Sequence, residues 1–145
     1  MINHKIGDIT QLEDSIIVHC VNTDGVMGAG VALALLNKWP QVKLCYQDWF
    51  GTRTSVQFLC KHVEFRSSHR PTLGDIEMVR CDTNLVVNLV GQKSTGGLHL
   101  KHVQSIWPYR NEALREGFLR LISWYKETNE QRPICTPSIV TGKQD

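Results

Sequence analysis

An apolar run, Ile16-Ile17-Val18, continues through Val21 into the polar turn Asn22-Thr23-Asp24-Gly25, and an apolar helical stretch, Val31 to Lys38, starts directly behind Gly28-Ala29-Gly30. The order is strand, small polar loop, helix. Pro40 stands where a second helix can begin without losing a needed hydrogen bond, and Val42, Cys45, Tyr46 and Trp49 fall on one face at helical spacing until Gly51 ends it. Upstream, a short edge strand is expected near Lys5-Ile6. The stretch from Thr52 to Pro71 is irregular, with a strand at Val56–Cys60 and a basic polar loop at Arg66–Pro71. Gly74–Cys81 and Asn84–Val90 read as two strands around the turn Cys81-Asp82-Thr83, the second apolar enough to be covered on both faces. A glycine-containing loop, Gly91–Gly97, precedes the clearest helix, Tyr109–Lys126, whose stripe is Leu114, Phe118, Leu121, Ile122 and Tyr125. Ile134-Cys135 begins a last strand leading into Pro137–Gly142. Alternating strands and helices predict a layered α/β domain.

The loop before Val31 has a chemical reading of its own. The first N–H groups of a helix lack internal partners, and the aligned peptide dipoles place partial positive charge there. A diphosphate bridges such groups if side chains stay out of the way, and Gly28, Ala29 and Gly30 keep them out. The competing reading is that these glycines only allow close helix–strand packing.

Composition narrows the class. A chain of 145 residues is one domain, residues 1–145. Sixteen basic and 14 acidic residues, spread along the chain, give a net charge of +2 and no concentrated positive field, so nucleic acid is not expected as a partner. No apolar stretch approaches the roughly 20 residues that span a bilayer, and Met1–Ile6 lacks the apolar core of a signal peptide. A cytoplasmic location away from membranes is expected. Five cysteines at wide spacings with no Cys-x-x-Cys predict reduced thiols rather than disulfides or zinc.

Taken in order, Gly7-Asp8-Ile9-Thr10, Val21-Asn22, Met27-Gly-Ala-Gly-Val-Ala32, an apolar strand ending at Gln92, and Pro137-Ser-Ile-Val-Thr-Gly142 resemble a macro domain, the ADP-ribose-binding module. The resemblance covers nearly the whole chain and implies a three-layer α/β/α fold with a mixed central sheet. It implies ligand contacts as well. Asp8 would accept the adenine amino group beside the Ile9 backbone, a role that competes with simple capping of the turn before Thr10. Gly28, Ala29, Gly30 and Val31 would hold the diphosphate, with Ser138, Thr141 and Gly142 on the opposing wall. Asn22 would bond a distal-ribose hydroxyl, or else shape the turn through its own backbone.

Within the family, the stretch from His19 to Ala32 looks most like yeast-type ADP-ribose 1″-phosphate phosphatases and the glycohydrolases that strip terminal ADP-ribose from acidic side chains. Phosphomonoester hydrolysis needs a group that attacks phosphorus or activates water. His19, Asn22 and Asp24 are the catalytic candidates, and His19 has the suitable pKa; its alternative is a hydrogen-bonded core histidine, and that of Asp24 is a turn. No metal or cofactor is expected, because the histidines show no ligand spacing. The glycohydrolase lysine is replaced by Gln92, with Lys93 one step on, a slip that reverses the strand face unless the strand is bulged. The glycohydrolase aspartate is likewise replaced by Gln144, with Asp145 one step late.

The expected function is binding of ADP-ribose or a derivative with dephosphorylation of ADP-ribose 1″-phosphate. A non-catalytic reader of ADP-ribose, free or on a modified protein, and an ADP-ribosyl-protein glycohydrolase are the alternatives. A Rossmann-like oxidoreductase is disfavoured, since no Gly-x-Gly-x-x-Gly follows the first long strand. Macro domains normally continue past the second glycine loop with a helix and a last strand. The sequence given stops at Asp145, so the expectation is a fold lacking that helix and strand, or a homodimer that fills the gap by strand exchange.

Overall fold

The computed structural model describes residues 7–25, 27, 30–51, 61–93 and 100–137, with the side chains of residues 100–110 outside that description. A 3-10 turn, Ile9–Gln11, leads to β1 (Ile16–Asn22), α1 (Gly30–Lys38) and α2 (Pro40–Trp49); β2 (Val63–Arg66), β3 (Ile76–Cys81) and β4 (Asn84–Gln92) follow, then α3 (Leu100–Glu127) and β5 (Ile134–Cys135). These strands form one mixed sheet in the order β2-β3-β4-β1-β5. β1 runs parallel to β4 and β5, while β3 is antiparallel to both β2 and β4.

Side chains alternate across the central strands, so each strand feeds two cores. Ile17, Val21, Val79, Val86 and Val90 face α1 and α2, where Leu35, Val42, Tyr46 and Trp49 cover them. Ile16, Val18, Ile76, Met78, Val87 and Leu89 face the other way, onto Leu114, Leu121 and Trp124 of α3. The expected three-layer α/β/α arrangement with a mixed sheet is therefore present. Close approach of α3 depends on Gly117, where a Cβ would stand 2.4 Å from Leu89 Cγ.

Several boundaries differ from the sequence expectations. α3 begins at Leu100, nine positions before Tyr109, and carries Pro108 within it. Arg66, expected in a loop, closes β2, a four-residue strand that periodicity could not distinguish. Gly91 and Gln92 belong to β4 rather than to a loop. The ladder shifts there: Val21 pairs Val90, but Asn22 pairs Gln92, leaving Gly91 as the extra residue of a bulge. The expected strands near Lys5-Ile6 and at Val56–Cys60, and most of the loop after Lys93, lie outside the described residues. Cys45 and Cys81 are buried, and Cys20 and Cys135 are half-buried. Among the described residues no helix is long and apolar enough to cross a membrane.

Candidate functional site

The carboxyl-terminal ends of β1 and β4 meet at the loop that runs from Asn22 into α1. Thr23 N–H donates to the Gln92 carbonyl at 3.0 Å, tying the start of this loop to the end of β4. Asn22 is buried and its Oδ1 accepts from Asp24 N–H at 2.7 Å, so it makes the turn expected of an asparagine at this position. The Tyr46 hydroxyl on α2 lies 2.6 Å from the Asn22 carbonyl and 2.8 Å from Asn22 Oδ1, and it accepts from Gly25 N–H at 3.0 Å. Gln47 Nε2 donates to the Gly25 carbonyl at 3.2 Å. Gly25 has φ +77°, and Met27 is buried in the core beneath the loop. α1 then opens on Gly30, at φ +59°; among the described residues, beyond its chain neighbours and its own helix backbone, none comes within 4 Å of where a Cβ would stand. Val31 packs partly against the core in the first turn.

Asp8 is exposed and caps the Ile9–Gln11 turn: Oδ1 accepts from both Thr10 N–H (2.9 Å) and Thr10 Oγ1 (2.7 Å). The Thr10 hydroxyl and then its amide hold the carboxyl below its usual pKa, with Lys38 adding a smaller effect. Ile9 is half-buried beside the α1 core. Asp24 is exposed on the turn. The remaining predicted ligand residues, Gly28, Ala29, Ser138, Thr141 and Gly142, lie outside the described residues.

His19 is 1% exposed and faces the α1–α2 side of the sheet. Its Nε2 lies 2.6 Å from Asn88 Oδ1, the position paired with it on β4. Asn88 Nδ2 in turn donates to Glu77 Oε1 (2.9 Å) and to the Val42 carbonyl (3.3 Å). A carbonyl only accepts, so the amide orientation is fixed and His19 Nε2 carries the proton. Its Nδ1 is a buried acceptor without a hydrogen-bond partner among the described residues. Burial lowers the His19 pKa from 6.5 to about 4, opposed by the bond to Asn88. This is the hydrogen-bonded core histidine that a position inside an apolar strand allows.

The row continues across the sheet. Glu77 pairs Asn88 on one side and Arg66 on the other, so His19, Asn88, Glu77 and Arg66 stand side by side on four strands. Arg66 Nε donates to Glu77 Oε2 at 2.8 Å, and its Nη2 reaches the Cys45 carbonyl (3.1 Å) and Asp48 (3.4 Å) on α2. Burial raises the Glu77 pKa, opposed by Arg66 and Asn88. The sequence pattern did not connect His19 to Asn88, Glu77 and Arg66, and it gave Tyr46 only a packing role. Asn88 was the available signal: a lone amide in the middle of Leu-Val-Val-Asn-Leu-Val demands buried partners.

The bulge at Gly91 bears on Lys93. It supplies the irregularity without which a one-residue slip would put that lysine on the wrong face, and Lys93 is exposed just past the strand end. A cavity of about 230 Å³, lined by Thr10, Lys38, Trp39 and Asp82 among others, lies at the opposite end of β1 and β4.

No family model matches the chain, and no curated protein matches it. Solved structures do. The macrodomain of Thermus aquaticus DarG superposes with a TM-score of 0.63 at 22% identity, over 96% of this chain and 76% of that one. A macrodomain protein from Streptomyces coelicolor gives 0.59 at 21%, over 90% and 71%. The fold is that of a macrodomain. Thermosipho africanus DarTG, solved in complex with ADP-ribose, shares this macrodomain fold at a TM-score of 0.58 and 16% identity, over 92% of this chain and 31% of that one.

Proposed function

We propose that this macrodomain-fold chain binds ADP-ribose or a close derivative at the loop between β1 and α1. The observation that carries the reading is the start of α1. Gly30, at positive φ and with no described residue near where a side chain would project, begins a helix whose first N–H groups have no partner within the helix. That a structural neighbour was solved with ADP-ribose supports the choice of ligand. In this reading Gly28, Ala29, Gly30 and Val31 hold the diphosphate. Ser138, Thr141 and Gly142 form the opposing wall. Asp8 accepts the adenine amine on Oδ2, since both Thr10 bonds end on Oδ1. Asn22 shapes the turn. The ligand is free ADP-ribose or ADP-ribose carried on a modified protein.

The geometry favours binding over chemistry. A phosphatase or glycohydrolase needs a group that reaches the reacting atoms, whereas His19 is enclosed in the sheet and engaged with Asn88. Asp24, exposed on the loop, is the remaining candidate for orienting water. Calorimetric titration with ADP-ribose tests the proposal: saturable heat with a matching thermal shift is expected, and neither at millimolar ligand would overturn it. Phosphate release from ADP-ribose 1″-phosphate by the wild type, abolished in Asp24→Asn, would replace the reader by an enzyme.

A further inference from the structure

Gly25 is held by both of its backbone groups, and both partners come from one helix. Tyr46 Oη accepts its N–H and Gln47 Nε2 donates to its carbonyl. Successive residues on a helix point about 100° apart, so these two side chains grip the glycine from different directions. The same Tyr46 oxygen lies within 2.8 Å of two Asn22 oxygens, so one hydroxyl serves both ends of the turn. α2 itself is fastened to the sheet: Asn88 binds its Val42 carbonyl, and Arg66 binds its Cys45 carbonyl and Asp48 side chain.

We propose that Tyr46 and Gln47 are positioning residues for ligand binding, holding the Asn22–Gly25 turn in its binding conformation before ligand arrives. The inference rests on the reading of the loop into α1 as the ADP-ribose site. Neither residue needs to touch the ligand. A loop ordered only on binding loses affinity through the conformational freedom it gives up, and a pre-formed turn avoids that loss. Gly25 requires such fixation, because a glycine at positive φ is otherwise free to adopt many backbone conformations.

The test begins with wild-type titration by ADP-ribose and repeats it on Tyr46→Phe, which removes one hydroxyl, and on Gln47→Leu. Each variant should bind about tenfold more weakly while retaining a cooperative unfolding transition. Gln47 is half-buried and outside the core, so that variant serves if Tyr46→Phe fails to fold. Amide exchange without ligand separates positioning from general stability: Gly25 N–H should exchange at least tenfold faster in Tyr46→Phe, with Val86 and Leu89 of β4 protected as in the wild type. Wild-type binding with unchanged affinity in both variants would overturn the inference, and so would faster exchange spread evenly over β4. A wild type that does not bind would overturn the ADP-ribose reading itself, and the ligand role of the clamp with it.

Discussion

His19 donates from Nε2 to Asn88 Oδ1 across 2.6 Å, from the position directly beside it on the neighbouring strand. The bond fixes the tautomer of a neutral ring, and burial keeps that ring neutral well below the pH at which a solvated histidine would charge.

Stability should therefore decline in acid over a defined window. His19 titrates near 6.5 when unfolded and at about 4 in the fold. Between those values the unfolded chain binds more protons, so its contribution is fully present above pH 6.5 and is lost as pH falls toward 4. The whole effect is on the order of 3 kcal/mol. Urea unfolding at several pH values should show a flatter profile in His19→Gln, which keeps a donor for Asn88 without the titration.

Glu77 is buried and its carboxylate depends on Arg66. Arg66→Met should destabilise the protein at pH 7 by about 3–5 kcal/mol, because it leaves a buried carboxylate without its cation. The raised pKa of Glu77 means that protonation relieves the loss as pH falls. A denaturation series should find the gap between wild type and variant narrowing toward acid, and Arg66→Met with Glu77→Gln should be closer to the wild type at pH 7 than Arg66→Met alone.

Gly117 lets α3 lie directly on β4. Gly117→Ala puts a methyl group 2.4 Å from Leu89 Cγ, and the helix must shift. A loss of about 1–3 kcal/mol is expected. Leu89→Ala should cost less in the Gly117→Ala background than in the wild type, measured as a non-additive double-mutant cycle.

Gly30 is the contrasting case. Among the described residues a Cβ there meets nothing within 4 Å beyond its own helix, so Gly30→Ala is expected to carry the backbone penalty of φ +59°, roughly 1–2 kcal/mol. Chemical denaturation should show that modest loss. Calorimetry on the same folded variant should show weaker ADP-ribose binding, since the methyl group projects into the space assigned to the diphosphate.

Much of this arrangement was legible in the chain. The apolar run of β1, the proline-started α2 with its Val42–Trp49 face, and the largely apolar β4 all formed close to where their patterns placed them. What failed to show was of two kinds. β2 is only four residues long and none of them is fully buried, so it leaves no periodic trace. The beginning of α3 carries Pro108, which reads as a boundary although the helix continues through it. The candidate site divides in the same way. Asn22 and Asp8 make the local turn bonds that their residue types favour, because such bonds depend on near neighbours. The grip of Tyr46 on Gly25 joins residues 21 positions apart and was invisible, since a tyrosine on an apolar helix face reads simply as core.

The extra residue in β4 also governs how this chain can be compared with others. Up to Val90 its strand keeps step with β1, and beyond Gly91 it runs one residue ahead. Where a related strand lacks that insertion, counting along the chain assigns Gln92 and Lys93 to the wrong counterparts. Equivalence at this rim has to be taken from the ladder, by asking which residue stands opposite Asn22.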